Sequence, residues 1–371
     1  MNFDFSEDLN LLREQARRFL KERCSTQAVR RVIDAPAAWD PPLWGEIARM
    51  GWLGAVIPES FGGAELGHEG LCVLAEELGR AIAPVPFASS VYLAAQAIVE
   101  HGSEGQKSAW LPKLADGSAI GTLAVAEGPG NPGNGSIAAR VVDGRLSGSK
   151  WPVPDGSIAH FAVALADDGQ GGPSLWLVDL GNAGVARTTL KTIDPTRDHA
   201  RLDFRDAPAE RLGAAGNGGA ALRRLLDRAA VLIAFEQVGG AQACLDMARD
   251  YAVERYAFGR PIGSFQAIKH KLADVYIALE LARSNAYYGA WALATDAPEL
   301  PLAAAAARVS ASDAFYLAAK ENIQTHGGMG FTWESDCHLY YRRAKQLALV
   351  IGSTPWWKDR LVGEWDARSA H

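Results

Sequence analysis

Residues 254–266 read Glu-Arg-Tyr-Ala-Phe-Gly-Arg-Pro-Ile-Gly-Ser-Phe-Gln, a basic turn set between two stretches of helical spacing. Upstream, Leu222, Leu225, Leu226, Ala229, Leu232 and Ile233 recur every three or four residues; downstream, Ile268, Leu272, Val275 and Leu279 do the same. The turn therefore ends one long helix and begins another. It has two readings. Gly259 could cap the first helix while the arginines satisfy its last carbonyls, or Arg255 and Arg260 could face an anion, because a guanidinium fork donates paired hydrogen bonds to phosphate oxygens. A second stretch, residues 324–331, reads Gln-Thr-His-Gly-Gly-Met-Gly-Phe. Its three glycines let a backbone approach a ligand closely, and equally suit a plain interhelical loop. His326 has no second ligand type beside it, so metal binding is not expected.

Working outward, helical spacing also fills the first third, with Leu9, Leu12, Ala16 and Leu20 and then residues 71–82. Residues 51–63, GWLGAVIPESFGG, interrupt it as a loop. From 121 to 208 the pattern changes to short apolar runs such as 161–166 and 174–180, separated by Asp-Gly, Asn-Gly and Gly-Pro turns. Asp143-Gly144, between 138–142 and 145–147, is a hairpin signal because both turn positions want positive φ. The sheet is expected to be antiparallel. The fold class is thus α+β. The expected units are an N-terminal helical domain (1–118), a middle antiparallel β domain (119–211) and a C-terminal four-helix-bundle domain (212–371) opening on the Gly/Ala-rich linker 212–219.

The size, 371 residues, suits several domains with a large buried core. Lys and Arg total 37 against 43 Asp and Glu, a net charge of −6, so no nucleic-acid footprint exists overall. Cys24, Cys72, Cys244 and Cys337 form no CxxC pair, which points away from disulfides and zinc and towards a reducing cytoplasm. The acidic start MNFDFSEDLNLLREQ lacks the marks of a secretory signal, and no run of roughly 18 apolar residues occurs, so no membrane association is expected.

Taken together, the two glycine-bearing motifs, the loop 51–63 and Glu76-Glu77-Leu78-Gly79 resemble the acyl-CoA dehydrogenase family of flavoproteins over nearly the whole chain. The resemblance implies binding of FAD and an acyl thioester of coenzyme A, with loss of an α-proton and transfer of a β-hydride to flavin N5. Such chemistry needs a carboxylate base within about 3 Å of the α-proton and hydrogen bonds to the developing enolate. It also implies that each FAD is shared across a subunit interface, one chain holding the ring and its neighbour the nucleotide. On that basis Arg255 meets the pyrophosphate, Phe258 and Gln266 line the same region, and Gln324, Gly327 and Gly328 lie against the adenosine end. An electron-transferring flavoprotein is the electron acceptor the resemblance suggests.

The ring-holding half departs from the family pattern. Where the family reads TEPGAGSD, residues 126–133 read AEGPGNPG and lose the leading threonine. Where the family has a Trp-Ile-Thr run, counting from Lys150 gives Pro152, Val153 and Pro154, with Trp151 one position early. A one-residue shift turns a strand side chain to the other face unless the strand bulges. The base is missing too. The usual glutamate position after 342–345, RRAK, falls on Ile351 or Gly352, and residues 346–358 hold no carboxylate. The alternative position on the long helix is Ala229, followed by Ala230. Asp227 and Glu236 are near in sequence but off its azimuth at about 100° per residue.

Three functional readings follow. The chain is the non-catalytic partner of a catalytic paralogue in a heteromeric α2β2 acyl-CoA dehydrogenase, with steroid side-chain thioesters as a possible substrate by analogy. Or it is a homo-oligomeric dehydrogenase with an unusual base, or a scaffold without redox chemistry. Partner surfaces are expected on the C-terminal helices. Residues 302–307, LAAAAA, could form one or pack internally. Trp356, Trp357 and Trp365 could anchor an interface, or the first two could fill an empty flavin slot.

Overall fold

The computed structural model describes residues 5–35, 38–133 and 137–369; residues 1–4 of the acidic start and the Asn134-Gly135 turn lie outside them. Side-chain caps set the first helices. Ser6 Oγ accepts Leu9 N–H at the start of α1 (Glu7–Arg23), Ser25 caps α2 (Thr26–Asp34), and Asp40 caps α3 (Pro41–Arg49). Residues 51–63 form the expected interruption, tightened into 3-10 turns at Trp52–Gly54 and Glu59–Phe61. Next come α4 (Gly67–Arg80), a π-helical stretch Ala88–Ala95, α5 (Gln96–His101) and α6 (Glu104–Ala115).

The middle third holds β1 (Gly121–Ala124), β2 (Arg140–Val142), β3 (Arg145–Pro154), β4 (Phe161–Asp167), β5 (Pro173–Asp179), β6 (Val185–Thr189), β7 (His199–Pro208) and β8 (Glu210–Leu212). Asp143 and Gly144 both have positive φ, 49° and 72°, so the β2–β3 hairpin is the one the turn chemistry demanded. The sheet runs β6-β7-β3-β2-β4-β5-β8, with β1 also on β4. It is mixed, which corrects the antiparallel expectation. β1 pairs with β4 in parallel from Gly121↔Phe161 to Ala124↔Ala164, and Arg140 meets Asp167 in parallel. Turn signals report only strands joined by tight turns, whereas parallel neighbours need a long connection; here the whole β2–β3 hairpin lies between β1 and β4.

The C-terminal third is built on α7 (Gly218–Glu254), 37 residues long. It is followed by a small hairpin, β9 (Tyr256–Ala257) and β10 (Arg260–Pro261), then α8 (Gln266–Ala294), α9 (Leu300–His326), α10 (Cys337–Leu347) and α11 (Thr354–Ser369). Residues 225–241 of α7 are buried on every face, the mark of a central helix. Two glycines let α4 cross it closely. A Cβ on Gly79 would lie 1.9 Å from Glu236 O, and one on Gly239 would lie 1.8 Å from Glu76 O, so the two backbones touch. The Glu-Glu-Leu-Gly stretch is therefore a helix-crossing motif. Its carboxylates hold neighbouring helices: Glu77 takes both Nε and Nη2 of Arg17, at 3.0 and 2.7 Å, and Glu76 takes Arg283 Nη1 at 2.5 Å. Ala303, Ala304, Ala305 and Ala307 are buried inside the chain, so the small-residue run packs internally. Among the described residues no helix is long and apolar enough to cross a membrane, and all four cysteines are free thiols.

Candidate functional site

The two glycine-bearing motifs, about 60 residues apart in sequence, meet at one end of the helical bundle. α7 stops at Glu254, and Arg255 N–H still reaches back to Tyr251 O at 2.8 Å. Gly259 is not the cap of that helix. It shares the β9–β10 turn with Phe258, at φ 77° and 52°, and Ile262 N–H closes the loop on Arg255 O at 2.8 Å. Capping glycines and hairpin glycines both demand positive φ, so spacing alone could not separate them. One turn before Arg255, Tyr251 stacks on His326 at 4.1 Å and 25°, and its hydroxyl lies 4.0 Å from Met329 Sδ. This stack joins the arginine turn to the glycine loop, where a 3-10 turn, Gly327–Phe331, follows α9.

Arg255, Phe258, Gln266, Gln324, Gly327 and Gly328 are all exposed on this end. Phe258 is 96% exposed. The Arg255 guanidinium makes no hydrogen bond, ion pair or ring contact among the described residues, and neither Gln266 nor Gln324 uses its side-chain amide. Arg260 instead covers the Phe265 ring at 4.1 Å. An unpaired guanidinium beside two free amides is a set of donors with no internal acceptor. Tyr256, Tyr276, Ile277, Leu281 and Met329 add exposed apolar surface.

The ring-side region is organised differently. β3 bulges between Lys150 and Val153: Lys150 pairs with Leu202 and Val153 with Ala200, so Trp151 and Pro152 together face one residue. This is the bulge that a one-residue displacement of the tryptophan called for. Trp151 N–H donates to Ala126 O at 2.8 Å, docking the strand on the 126–133 loop. Lys150 is fully buried, its Nζ 2.7 Å from Glu127 Oε1. Burial pushes the Glu127 carboxyl up, but hydrogen bonds from Lys150, Ala138 and Ala139 outweigh it and hold the acid below its usual range. A cavity of about 470 Å³ lies along Val125, Glu127, Gly128, Asn131 and Ile137. Asn131 Oδ1 accepts Ser353 N–H at 2.9 Å, so the loop meets the segment where the family's glutamate would sit.

That segment carries no acid. Ile351 is buried, and Trp357 Nε1 donates to its carbonyl at 3.2 Å. A Cβ on Gly352 would lie 2.5 Å from the Trp356 ring. Ala229 is fully buried. Neither tryptophan lines the 470 Å³ cavity; Arg360 covers both rings, at 5.1 and 4.6 Å, and Trp357 is buried while Trp365 is exposed. The nearby acids are engaged elsewhere. Asp227 pairs with Arg360 Nη2 at 2.6 Å, and burial raises its pKa to about 6. Glu236 takes Arg197 and lies 3.7 Å from Arg343 Nη1, while Asp194 takes Arg343 Nε at 2.6 Å. A buried ionic lattice thus pins α7, α10 and the loop before β7.

The sequence reading missed Asp155. It looks like one half of an Asp-Gly turn, yet it is 4% exposed and accepts Ser89 Oγ–H at 2.5 Å. Burial raises its pKa to about 6 despite the opposing charge of Arg197. Asp155 lines a cavity of about 20 Å³ that also touches Pro154, His199, Ile233, Gln346 and Val350. The end of β3 and the segment after α10 therefore converge on one small space.

Residues 6–118 match the model of the acyl-CoA dehydrogenase N-terminal domain, and residues 216–356 match that of the C-terminal domain. The chain is 35% identical over 348 residues to acyl-CoA dehydrogenase IpdE2 of Mycobacterium tuberculosis (strain ATCC 25618 / H37Rv), covering 94% of each. A variant of the Tcur3481-Tcur3483 steroid ACAD superposes with a TM-score of 0.89 at 34% identity, covering 98% of this chain and 99% of that one. The ChsE4-ChsE5 complex from Mycobacterium tuberculosis gives a TM-score of 0.90 at 28% identity, covering 99% of each chain. On these matches, the chain belongs to the acyl-CoA dehydrogenase family.

Proposed function

We propose that this chain is the non-catalytic subunit of a heteromeric, FAD-dependent acyl-CoA dehydrogenase. It lends Arg255, Phe258, Gln266, Gln324, Gly327 and Gly328 to a flavin whose ring is held by a catalytic paralogue. Bound flavin supplies the electron sink for α,β-dehydrogenation of the thioester. The Arg255 fork, unspent among the described residues, suits the diphosphate. The Tyr251–His326 stack keeps the arginine turn and the glycine loop on one surface.

The observation that carries this reading is that both positions for a base, Ala229 and Ile351 or Gly352, lack a carboxylate, while the Arg255 guanidinium is left unpaired among the described residues. Relatives named for steroid dehydrogenases and for a two-protein complex support a steroid-like acyl-CoA substrate and a paralogous partner. An electron-transferring flavoprotein is the acceptor consistent with the family. The test is to purify the chain alone and with the paralogue, then add acyl-CoA and follow flavin absorbance. The reading expects a colourless, inert chain and a yellow complex that bleaches; bleaching by the chain alone would contradict it.

One observation favours a second reading, a homo-oligomer with an unusual base. Asp155 faces the same small space and its pKa of about 6 is suited to proton abstraction. Against it, Ser89 holds the carboxylate.

A further inference from the structure

Residues 327–336 join α9 to α10 and contain the glycine loop, and of these residues only Gly330 is buried. Their own backbone bonds are local, such as Thr332 N–H to Met329 O at 3.0 Å and Ser335 N–H to Thr332 O at 3.3 Å. Gly327 has φ 62°, and neither it nor Gly328 has a side chain to pack. A segment with so little burial opens easily unless it is tied down from elsewhere. Among the described residues, the hydrogen bonds that reach it from distant parts of the chain come from Tyr251, 4.0 Å from Met329 Sδ, and from Arg30.

Arg30 lies on α2, whose Ala28, Val29 and Val32 are buried and fix the helix to the body of the chain. Every nitrogen of its guanidinium is engaged. Nη1 donates to Trp333 O at 2.6 Å, Nη2 to Glu334 O at 3.1 Å and Ser335 O at 2.7 Å, and Nε to Asp336 Oδ1 at 2.9 Å. Three successive carbonyls and one carboxylate converge on one planar fork, an arc that the single nitrogen of a lysine cannot meet. Asp336 also balances the charge and directly precedes α10. Tyr251 therefore holds the entry of the glycine loop, through its stack on His326 at 4.1 Å, and Arg30 holds the exit.

We infer that Arg30, on the N-terminal helices, is a positioning residue for cofactor binding: by clamping 333–336 it sets where Gln324, Gly327 and Gly328 stand. This rests on the reading above, in which those three residues meet the nucleotide end of a flavin held by the paralogue. Arg30 itself touches no cofactor, since its donors are all spent on the turn.

Amide hydrogen exchange on the full chain, and flavin release from the complex on dilution, test the inference with Arg30→Met, Arg30→Lys and Gln324→Ala. Arg30→Met should speed exchange at 327–336 roughly tenfold and leave 225–241 unchanged, the pattern of a local opening. It should also speed flavin release roughly tenfold, with kcat per bound flavin unaltered. Arg30→Lys keeps the charge and loses the fork, so it should not restore retention; it carries the same comparison should Arg30→Met fail to fold. Arg30→Met and Gln324→Ala together should cost less than the sum of their separate effects, because both act on one loop. Unchanged exchange at 327–336, exchange that rises equally at 225–241, full rescue by Arg30→Lys, or strict additivity would overturn the inference. So would faster exchange with flavin release untouched. In that last case Gln324→Ala separates the causes: release speeded by Gln324→Ala places the failure on Arg30 alone, and release untouched by either places it on the parent reading.

Discussion

The exposed end that carries Arg255 and the small space at Pro154–Val350 treat charge in opposite ways. At the first, Arg255 stands exposed and, among the described residues, without a partner, next to unused amides and exposed rings. Around the second, Arg343 pairs with Asp194, Arg197 with Glu236 and Arg360 with Asp227. Internally satisfied groups serve the fold, while donors left open are free for something outside the chain. The contrast places unpaired donors at the motif end and internally paired charge around the other space.

Breaking the closed region should give the largest effect. Arg343→Met leaves Asp194 and Glu236 short of a counter-charge in a buried setting, and should cost about 3–5 kcal/mol, read from the urea midpoint at constant m. A loss below about 1 kcal/mol would mean that the lattice is hydrated and the region is not closed.

Breaking the open region should leave the fold alone. Arg255→Ala should change chain stability by less than about 0.5 kcal/mol. It should also weaken flavin retention by the complex by about 2–4 kcal/mol, roughly 30- to 1,000-fold in dissociation constant, measured by flavin release on dilution. Comparable losses in both measurements would erase the distinction between the two ends.

Asp155 sharpens the comparison through pH. Its folded pKa of about 6 lies above the ordinary 3.8, so folding favours the protonated acid. The stability this provides is complete below pH ~4 and disappears as pH rises through ~6. Asp155→Asn removes the dependence and should gain about 1–3 kcal/mol on the parent at pH 7.5 and nothing at pH 4, from denaturation series at both values. A gain of equal size at pH 4 would show that titration is not the cause. The smallest effect is expected at Phe258, whose ring is 96% exposed. Phe258→Ser should shift the melting temperature by no more than about 2 °C while weakening assembly with the paralogue in sedimentation.

Much of this contrast was legible in the sequence. Helical spacing on either side of 254–266 gave the bundle, Asp143-Gly144 gave its hairpin, and the empty base positions at Ala229, Ile351 and Gly352 needed only counting. Non-local facts stayed hidden. The parallel β1–β4 pairing leaves no turn signature, because hairpin chemistry is local and crossover pairing is not. Gly259 looked like a helix cap because a two-residue hairpin asks for the same φ. Asp155 looked like a surface turn because burial depends on Ser89 and Arg197, distant in sequence. The turn at 333–336 is held by Arg30, about 300 residues away along the chain, and no periodicity connects the two.

The most direct test of the central claim is a flavin count on the co-purified complex, taking absorbance against the quantified amount of each chain. The account predicts one FAD for every two chains, released on removal of the paralogue. One FAD for every chain, or flavin that stays with this chain after separation, would contradict it.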